Sequence, residues 1–515
     1  MEEKNLDSFT KSLTHPKIKD EQKQLSFVGY VDDITEISVH GWVCDREKLD
    51  HSLEIEIYAD EVRIGETIAS IYRPDLQDIG LGNGKHGFNF SLPANAQEQQ
   101  ITVKVKNYDY EVPKSRSLVE QEASINALVA SLEKSPKGTL PHFIHHYIPN
   151  GIPNTEYFLE PTVPKNQDDE IHICKRLIAS FNSALNFENN HIPLESRPNA
   201  GLWEVLRQGF QGEMYDLLQK GDPLALSQHL CNGYRESLCH GLAGGKMVYD
   251  AISSSKQTRL TLSIIYLDKF IALSEALGVL PYENPEQNKG YGVNIYENPS
   301  TVAEKIEDKL GISVGRPRVF GFHGLQFGDR VIEERTADHL WASWRIQQIA
   351  GTNKNICEIG GGFGGNCHYS YQMGCQSYTI IDLPIINVVQ GYFLMKCFGE
   401  EVILLFGESI SDKPIKVMPY WHFLREDNQF DICFNQDSLP EMPFERALEY
   451  LNRIPEVTRS HFYSINQEAC APAGQGLTQL NIPEIMAKNS KYNLLFRYPN
   501  WIRKGYVEEL YSLTP

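Results

Sequence analysis

The sequence of 515 residues predicts an α/β protein built from three kinds of segment in order along the chain. Apolar and polar residues alternate through much of residues 26–115, which is typical of strands with one buried face. Between residues 116 and 350 apolar residues recur at three- and four-residue spacing, which indicates amphipathic helices. From residue 351 to residue 515 short apolar strands alternate with helices, which predicts a mostly parallel sheet.

The first segment after a 25-residue tail reads as a small antiparallel β-sandwich. In the stretch 53–60, LEIEIYAD, the apolar residues Leu53, Ile55 and Ile57 alternate with polar ones. Turn residues such as Gly82-Asn83-Gly84 separate the predicted strands. We therefore predict a sandwich over residues 26–115 and assign no chemistry to residues 1–25.

The order of short motifs in this segment, from GYVDD through HGWVCD to GKHGFNFSLP, resembles an accessory β-domain of bacterial enzymes that build surface polysaccharides. The resemblance implies that the domain positions a glycan or another enzyme of polysaccharide assembly. A structural alternative stays open, because a buried Trp42 and a glycine-rich turn are also what any sandwich uses for packing.

The charge balance and hydropathy exclude two classes of protein. Acidic residues outnumber basic ones by 67 to 48, a formal net charge of −19. This excess argues against a general nucleic-acid binder, since such binding rests on Lys and Arg neutralising phosphates, although a local basic groove stays open. The longest strongly apolar runs, such as VILLF at 402–406, are far shorter than the ~20 residues of a membrane span. With no signal-peptide pattern either, we expect a cytoplasmic protein without a transmembrane segment.

Cysteine and histidine spacing does not predict a metal site. The ten cysteines contain no CxxC pair, so neither a disulfide framework nor a cysteine-based zinc site is indicated, and most should be reduced and buried. His142, His145 and His146 have helical spacing but no nearby acidic partner. A divalent metal is compatible with the chain but is not signalled.

In the helical segment, Thr301 and Glu304 have the spacing of a capping box, and the helix they open should end near Gly311. The stretch 317–333 is predicted as a hairpin, and residues 334–350 as a further helix.

A glycine-rich loop after a short strand carries the strongest functional signal. Residues 355–359, NICEI, form an apolar strand that leads at once into the glycines of residues 360–365 and then into a helix. Asp382 ends the second strand, 22 residues after Gly360, where a carboxylate can accept hydrogen bonds from both hydroxyls of a ribose. Because Gly360, Gly362 and Gly365 fit G-x-G-x-x-G, a nicotinamide or flavin dinucleotide must be considered first.

Glu358 indicates whether the loop binds a dinucleotide or a nucleoside that lacks a pyrophosphate. It lies two residues before the first glycine, where a carboxylate would repel a pyrophosphate but suits a ligand with a sulfonium and an ammonium group. The resulting E-x-G-x-G-x-G pattern resembles motif one of the class I S-adenosylmethionine-dependent methyltransferases. The resemblance implies that Glu358, Gly360, Gly362, Gly364, Gly365 and Asp382 bind this cofactor, with Leu383 beside the adenine and Asn435 and Gln436 also in contact with it.

The order of the C-terminal elements fits the same class. Seven strands are predicted, namely NICEI, YTIID, VILLF, FDICFN, HFYSIN, KYNLLFRYP and GYVEELYSL. Five alternating βα units closed by a C-terminal hairpin give a Rossmann-like methyltransferase sheet. Since residues 351–515 hold little beyond that sheet, recognition of a substrate should come largely from the helical segment before it.

Five motifs in order, EIGGGFGG, YTIIDLP, FNQDSLPEM, SINQE and WIRKGYVEELY, resemble the sugar O-methyltransferase family over about residues 160–515. The resemblance implies S-adenosylmethionine as donor, S-adenosylhomocysteine as product and a sugar or glycan acceptor in O-antigen or capsule synthesis. The sequence departs from the family pattern at one place, because Asn366 and Cys367 follow the glycines where an apolar residue is expected. Asn366 is predicted to cap the helix and Cys367 to pack as a small hydrophobe.

Methyl transfer to a hydroxyl needs alignment and a proton acceptor. The loop after the fourth strand should face the methyl group, which makes Asp437 the first candidate and Glu441, one turn into the next helix, the second. Asp437 and Ser438 alternatively serve only as a helix N-cap. His323 is a third candidate, although a lone histidine in a hairpin is more often structural.

Acceptor binding is assigned to Arg345, Trp501 and Arg503, through hydrogen bonds and stacking, although each could equally serve an internal contact. Two functions from other classes stay open. One is an NAD-dependent oxidoreductase, and the other is a catalytically silent subunit in which the fold serves as a scaffold.

Overall fold

The computed structural model describes residues 26–35, 38–93, 96, 99–119, 152, 154–160, 167–197, 209–236, 242, 245–284, 294–409, 412–425, 429–470, 472–474 and 477–514. The predicted tail and the three histidines of HFIHHY lie outside these residues. The chain divides into two compact units, residues 1–134 and 135–515, and each is described separately. No helix among the described residues is both long and apolar enough to cross a membrane.

The first unit contains two antiparallel sheets, with strand orders β1-β2-β6-β5 and β4-β3-β7. Its elements are β1 (Phe27–Ile34), β2 (Ser38–Asp45), β3 (Leu53–Ala59), β4 (Val62–Ala69), β5 (Ile71–Tyr72), α1 (Pro74–Asp78), β6 (Lys85–Ser91) and β7 (Ile101–Val105). The predicted alternation in β3 is confirmed, because Leu53, Ile55 and Ile57 are buried. They join Val39 and Val43 of the other sheet in one apolar cluster.

The second unit begins with helices and a small sheet. These elements are β8 (Glu156–Leu159), α2 (Gln167–His191), α3 (Gly212–Lys220), α4 (Pro223–Cys231), α5 (Gly245–Ser254), α6 (Lys256–Ala276), α7 (Pro299–Leu310), β9 (His323–Phe327), β10 (Arg330–Ile332) and α8 (Thr336–Ala350). The β9–β10 pair confirms the predicted hairpin, and β8 pairs with β9 on its other side.

Helix α7 begins earlier than its capping pattern predicts. The side chain of Asn298 accepts hydrogen bonds from the backbone of Ser300 and Thr301, so Asn298 is the N-cap. The helix ends at Gly311 as predicted, with that glycine in the left-handed conformation.

An eight-stranded sheet forms the rest of the unit, in the order β13-β14-β12-β11-β15-β16-β20-β19. The elements are β11 (Asn355–Ile359), α9 (Gly365–Gln372), β12 (Ser377–Asp382), α10 (Pro384–Phe398), β13 (Ile403–Leu405), β14 (Ile415–Pro419), α11 (Tyr420–Arg425), β15 (Phe430–Gln436), α12 (Phe444–Val457), β16 (Thr458–Gln467), β17 (Pro472–Gly474), β18 (Leu477–Thr478), α13 (Ile482–Met486), β19 (Tyr492–Pro499) and β20 (Tyr506–Leu513). The first six strands in this order, β13, β14, β12, β11, β15 and β16, are parallel to one another. β20 is antiparallel to β16, and β19 is antiparallel to β20.

The prediction of seven strands is therefore wrong by one. The stretch VILLF gives only the three-residue edge strand β13, while β14, which the prediction missed, pairs with β12. β14 is a five-residue strand, IKVMP, in which Lys416 follows the first apolar residue and Pro419 ends the strand, so its pattern is weak.

The helices and the sheet of this unit share a core. Leu177 and Phe181 of α2 lie in one buried cluster with Val389 and Phe393 of α10 and with residues of the parallel strands. Glu170 of α2 reinforces this contact, since it accepts a hydrogen bond from Tyr392 at 2.7 Å. Burial all round explains why α10 has apolar residues on every face.

A buried ion pair joins α8 to the C-terminal hairpin. Glu508 of β20 is fully buried and accepts hydrogen bonds from Trp341 at 2.9 Å and from Arg345 Nε at 2.8 Å. Tyr498 of β19 donates to the same carboxylate at 3.0 Å. Arg345, predicted to bind a substrate, therefore has an internal structural contact.

Replacing Glu508 by Gln should destabilise this unit, because it leaves the mostly buried charge of Arg345 without its partner. We expect the free energy of unfolding to fall by about 3–5 kcal/mol, the usual cost of breaking a buried pair. Urea unfolding followed by tryptophan fluorescence measures the change. Glu484→Gln, which removes an exposed pair with Lys488, is the matched control and should change stability by less than ~1 kcal/mol. Equal effects of the two variants would contradict the prediction.

Candidate functional site

The glycine loop lies between β11 and α9 and takes a backbone path that only glycine allows. Gly360 and Gly362 have φ angles of 72° and 55°, in the left-handed region. A Cβ atom at Gly360 would lie 2.1 Å from the side chain of Ser438. At Gly362 a Cβ would meet nothing within 4 Å, so this part of the loop leaves its backbone open to a ligand.

A cleft opens in front of this loop at the carboxyl ends of the parallel strands, where ligands bind in open α/β sheets. It holds about 1130 Å³ of empty space, including its mouth. The lining residues come from the segment before the sheet, the end of β11 and the glycine loop, the end of β12 and the loop after it, and the segment from the end of β15 into α12. They include Arg335, His339, Glu358, Gly360, Gly361, Gly362, Asp382, Leu383, Gln436, Asp437, Glu441 and Arg446.

Asp382 ends β12 with its half-buried carboxyl group at the cleft. Oδ2 accepts a hydrogen bond from Gln390 Nε2 at 2.7 Å, and Oδ1 accepts one from the backbone N–H of Leu383 at 2.8 Å. Burial raises the pKa of Asp382 to about 7, although these hydrogen bonds act in the opposite direction. Each carboxyl oxygen has a second lone pair available for a ligand hydroxyl.

Glu358 is buried at the other side of the glycine loop. It accepts hydrogen bonds from Asn366 at 2.8 Å and from Tyr378 at 3.0 Å. Burial raises the pKa of Glu358 to about 7, and the nearby Asp382 adds to this rise. A cation bound in the cleft would favour the ionised form of both carboxyl groups.

Asn366 and Cys367 replace the apolar residue expected after the glycines. The prediction that Asn366 caps α9 is wrong, since Gly364 is the N-cap and the Asn366 side chain donates instead to Glu358 and Gln436. Cys367 is fully buried in the core, as predicted. Asn366 therefore provides a hydrogen-bond donor to the buried carboxyl group of Glu358.

Asn435 and Gln436 occupy different surroundings although they are neighbours in sequence. Gln436 lines the cleft, as predicted for a ligand contact. Asn435 is fully buried and donates to the carbonyl of Ile359 at 2.8 Å and to Ser438 at 2.6 Å. It supports the loop from beneath. Gly364 and Gly365 likewise do not line the cleft; at Gly365 a Cβ would lie 2.2 Å from the ring of His339.

Asp437 lies at the cleft with its backbone in the left-handed conformation, at φ 69°. Its Oδ2 accepts hydrogen bonds from Arg335, at 3.0 Å, and from Arg503. Burial alone would raise the pKa of Asp437, but the charges of Arg503 and Arg335 outweigh it and hold that pKa below its usual range. The carboxylate is therefore ionised at neutral pH.

The alternative role of Asp437 as a helix cap is wrong. α12 starts at Phe444 with Pro443 as its N-cap, six residues further on. Leu439–Glu441 form a 3-10 turn between the two, so Glu441 lines the cleft from this turn and not from the helix.

His323 does not line the cleft. It is buried in β9, stacked on Tyr157, whose hydroxyl lies 3.0 Å from Nδ1. Burial and the charge of Arg316 lower the pKa of His323 to about 3, so it is neutral and inaccessible. Its candidacy as a proton acceptor at this cleft is wrong, and the structural alternative holds.

Two cleft residues that the sequence did not indicate lie one turn apart on the side where α8 begins. Arg335 directly precedes α8 and pairs with Asp437, and His339 lies in its first turn. Burial and the charges of Arg335 and Arg316 hold the pKa of His339 well below its usual value, so its ring is neutral. Their four-residue spacing, which puts them on one helix face, is the signal that could have found them.

Two predicted acceptor residues lie in different positions. Arg503 reaches the cleft through its contact with Asp437 and stacks on Tyr506 at 3.8 Å. Trp501 is not a lining residue; it is 46% exposed and lies against Tyr282, with ring centroids 5.3 Å apart.

Comparison with known proteins gives structural likeness alone. No family model matches the sequence, and no curated protein is significantly similar to it. The 1,6-didemethyltoxoflavin-N1-methyltransferase of Burkholderia thailandensis, with bound S-adenosylhomocysteine, is similar over 34% of this chain and 79% of its own, with 16% identity and a TM-score of 0.27.

Two further structures are similar to a comparable extent. The N-methyltransferase NodS of Bradyrhizobium japonicum, also with S-adenosylhomocysteine, shares 12% identity over 35% of this chain and 88% of its own, with a TM-score of 0.27. The magnesium protoporphyrin IX methyltransferase of Synechocystis shares 11% identity over 36% and 90%, with a TM-score of 0.28.

The raised pKa of Asp382 predicts how stability depends on pH. The folded state favours the protonated carboxyl group, so its stabilising contribution is present below about pH 4 and is lost as pH rises through about 7. The Asp382→Asn side chain has nearly the same shape as aspartate but does not ionise. The stability of this variant relative to the wild type should therefore increase as the pH rises from 5 to 8. Urea unfolding of both proteins across this range measures the difference. A difference that does not vary with pH would contradict the assignment.

Proposed function

We propose that this chain is an S-adenosylmethionine-dependent O-methyltransferase that transfers a methyl group to a hydroxyl of a sugar. The observation that carries the proposal is that two carboxyl groups, Glu358 and Asp382, line one cleft together with an open glycine loop. The cleft is at the carboxyl edge of a parallel sheet closed by a C-terminal hairpin, which is the order expected for such enzymes.

The residues present fit the donor. Asp382 has free lone pairs for the two ribose hydroxyls, and Leu383, which lines the same wall, suits the adenine. The charge of Glu358 suits a cationic ligand and disfavours a pyrophosphate, which argues against NAD. When bound, the donor supplies a methyl carbon already activated for in-line displacement, so the protein needs to align the acceptor and remove a proton.

Four further lining residues suit a polyhydroxyl acceptor. Arg335 and Arg446 offer hydrogen-bond donors there, and Asp437 and Glu441 offer acceptors. Five sequence motifs resemble those of the sugar O-methyltransferase family, which supports a sugar as the acceptor. Residues 26–115 resemble accessory domains of enzymes that build surface polysaccharides. We therefore propose that the enzyme acts in the cytoplasmic synthesis of O-antigen or capsule. In that setting the β-domain positions a glycan or a partner enzyme.

Asp437 is proposed as the proton acceptor. The two arginines keep it ionised and fix its orientation, although they also make it a weaker base. Neutral His339 is the competing acceptor on the same cleft. Asp437→Asn and His339→Gln distinguish the two residues.

Replacing Asp382 by Ala should weaken the binding of S-adenosylhomocysteine by about 1.5–3 kcal/mol, the worth of hydrogen bonds to a charged group. Isothermal titration calorimetry measures the affinity. Asp329→Ala, which removes a side chain that is 93% exposed, is the control and should leave it unchanged. Unchanged affinity in Asp382→Ala would refute the ribose assignment. Tight NAD binding without S-adenosylhomocysteine binding would favour an oxidoreductase, and donor binding with no turnover of any acceptor would favour a scaffold.

Replacing Asp437 by Asn should lower the rate of methyl transfer by about 10²–10⁴, the usual contribution of a general base, with cofactor affinity preserved. Stability should fall as well, because Arg335 and Arg503 lose their counter-charge. Formation of S-adenosylhomocysteine with a panel of sugars and nucleotide sugars measures the rate. His339→Gln and Glu441→Gln are the matched comparisons. Full activity of Asp437→Asn with loss in one of these would move the role there, and rescue by Mg²⁺ would indicate a metal site.

A further inference from the structure

Three side chains that commonly bind metal ions lie together in the helical part of the second unit. They are Glu213 in the first turn of α3, His229 in the last turn of α4, and Glu236 in the turn that follows α4. One ligand atom of each lies within 4.8 Å of the other two. No other group of His, Cys, Asp and Glu among the described residues meets this condition. None of the three lines the cleft.

His229 is the buried member of this group. Its side chain is 6% exposed, between the fully buried Leu226 and Leu230 of the same helix. Neither ring nitrogen has a hydrogen-bond partner among the residues that the structure describes. The ring therefore has a nitrogen available to a ligand from outside the chain.

The two glutamates supply negative charge without a cationic partner. Within the described part of the chain, neither Glu213 nor Glu236 forms an ion pair with Lys or Arg. Arg235, the neighbour of Glu236 in sequence, donates to Tyr249 at 2.7 Å and to the carbonyl of Glu160. Two carboxylates this close repel each other, and a cation between them would remove that repulsion.

We propose that Glu213, His229 and Glu236 bind one divalent transition-metal ion, and that this ion is Zn²⁺. One imidazole and two carboxylates form a donor set that zinc accepts, with a fourth position left for water. Mg²⁺ prefers oxygen ligands and several waters, so the histidine disfavours it. Zinc–ligand distances of about 2.0–2.2 Å are compatible with three ligand atoms that lie within 4.8 Å of one another.

The position of the group gives the ion a structural role, which does not depend on the function proposed above. α3 and α4 are joined by a short turn, and the ion would connect both helices to the turn after α4. That turn is also tied to the segment before β9, because the backbone N–H of Tyr234 donates to the carbonyl of Phe320 at 3.0 Å. The ion would therefore fix this corner of the helical region.

The test uses the full chain, stripped of metal with a chelator and then supplied with Zn²⁺ or Mg²⁺. We expect one equivalent of zinc to stay bound after gel filtration, measured by elemental analysis, and the melting temperature to rise with Zn²⁺ concentration but not with Mg²⁺. Glu213→Gln, at an exposed position, should fold normally and weaken zinc binding at least tenfold. His229→Asn should abolish it.

His172→Ala is the matched control, because its side chain is 72% exposed and pairs with Glu400 outside the group. It should bind zinc like the wild type. Circular dichroism checks that each variant is folded, and affinity for S-adenosylhomocysteine should be the same in Glu213→Gln as in the wild type. The proposal is overturned if the wild type retains no zinc, or if Glu213→Gln binds zinc as tightly as the wild type.

Discussion

Glu358 is buried next to the end of β11 and Asp382 is half-buried at the end of the neighbouring parallel strand β12, and much of the surrounding sequence follows from this. Burial of Glu358 and Asp382 is unfavourable unless donors surround each carboxyl group. Asn366 and Tyr378 serve Glu358, while Gln390 and a backbone N–H serve Asp382. Gln390 is the clearest consequence, because it is a fully buried polar residue on a largely apolar helix, where it also accepts a hydrogen bond from the buried Asn387 at 2.9 Å. Its second donated bond, to the carbonyl of Gly362 at 2.9 Å, links the same helix to the glycine loop.

The end of β11, where the glycine loop leaves the sheet, also requires particular side chains around it. The carbonyl of Ile359 is the last on its strand, and it accepts hydrogen bonds from Asn435 and from Ser438, both at 2.8 Å. Ser438 then occupies the space that a side chain at position 360 would need, so the glycine and the serine require each other. The loop after β15 is thereby held against the glycine loop, and Gln436 and Asp437 are brought to the cleft.

The sequence predicted the parts of this site that depend on local pattern. Gly360, Gly362, Glu358 and Asp382 belong to one strand–loop–helix–strand unit, so their spacing alone predicted that they share one cleft, whereas Gly364 and Gly365 do not line it. The strand β14 was missed because it is short and carries a lysine. The histidine was misassigned for a different reason: whether His323 or His339 reaches the cleft depends on how α8 and the β9 hairpin pack against the sheet. Long-range contacts such as Arg345 with Glu508, or Glu213 with His229 and Glu236, have no local pattern at all.

Asp437 joins the most distant parts of the chain at the cleft. Its N–H donates to Asn466 of β16 at 3.0 Å, and its carboxylate binds one arginine beside α8 and one from the C-terminal hairpin. The left-handed backbone turns the side chain toward both guanidinium groups, a conformation that aspartate tolerates better than most residues. Because the same carboxylate neutralises two arginines and faces the cleft, its chemical role and its structural role act through the same atoms. A rate measured on one substitution therefore needs cofactor affinity and stability beside it before the loss can be assigned to chemistry.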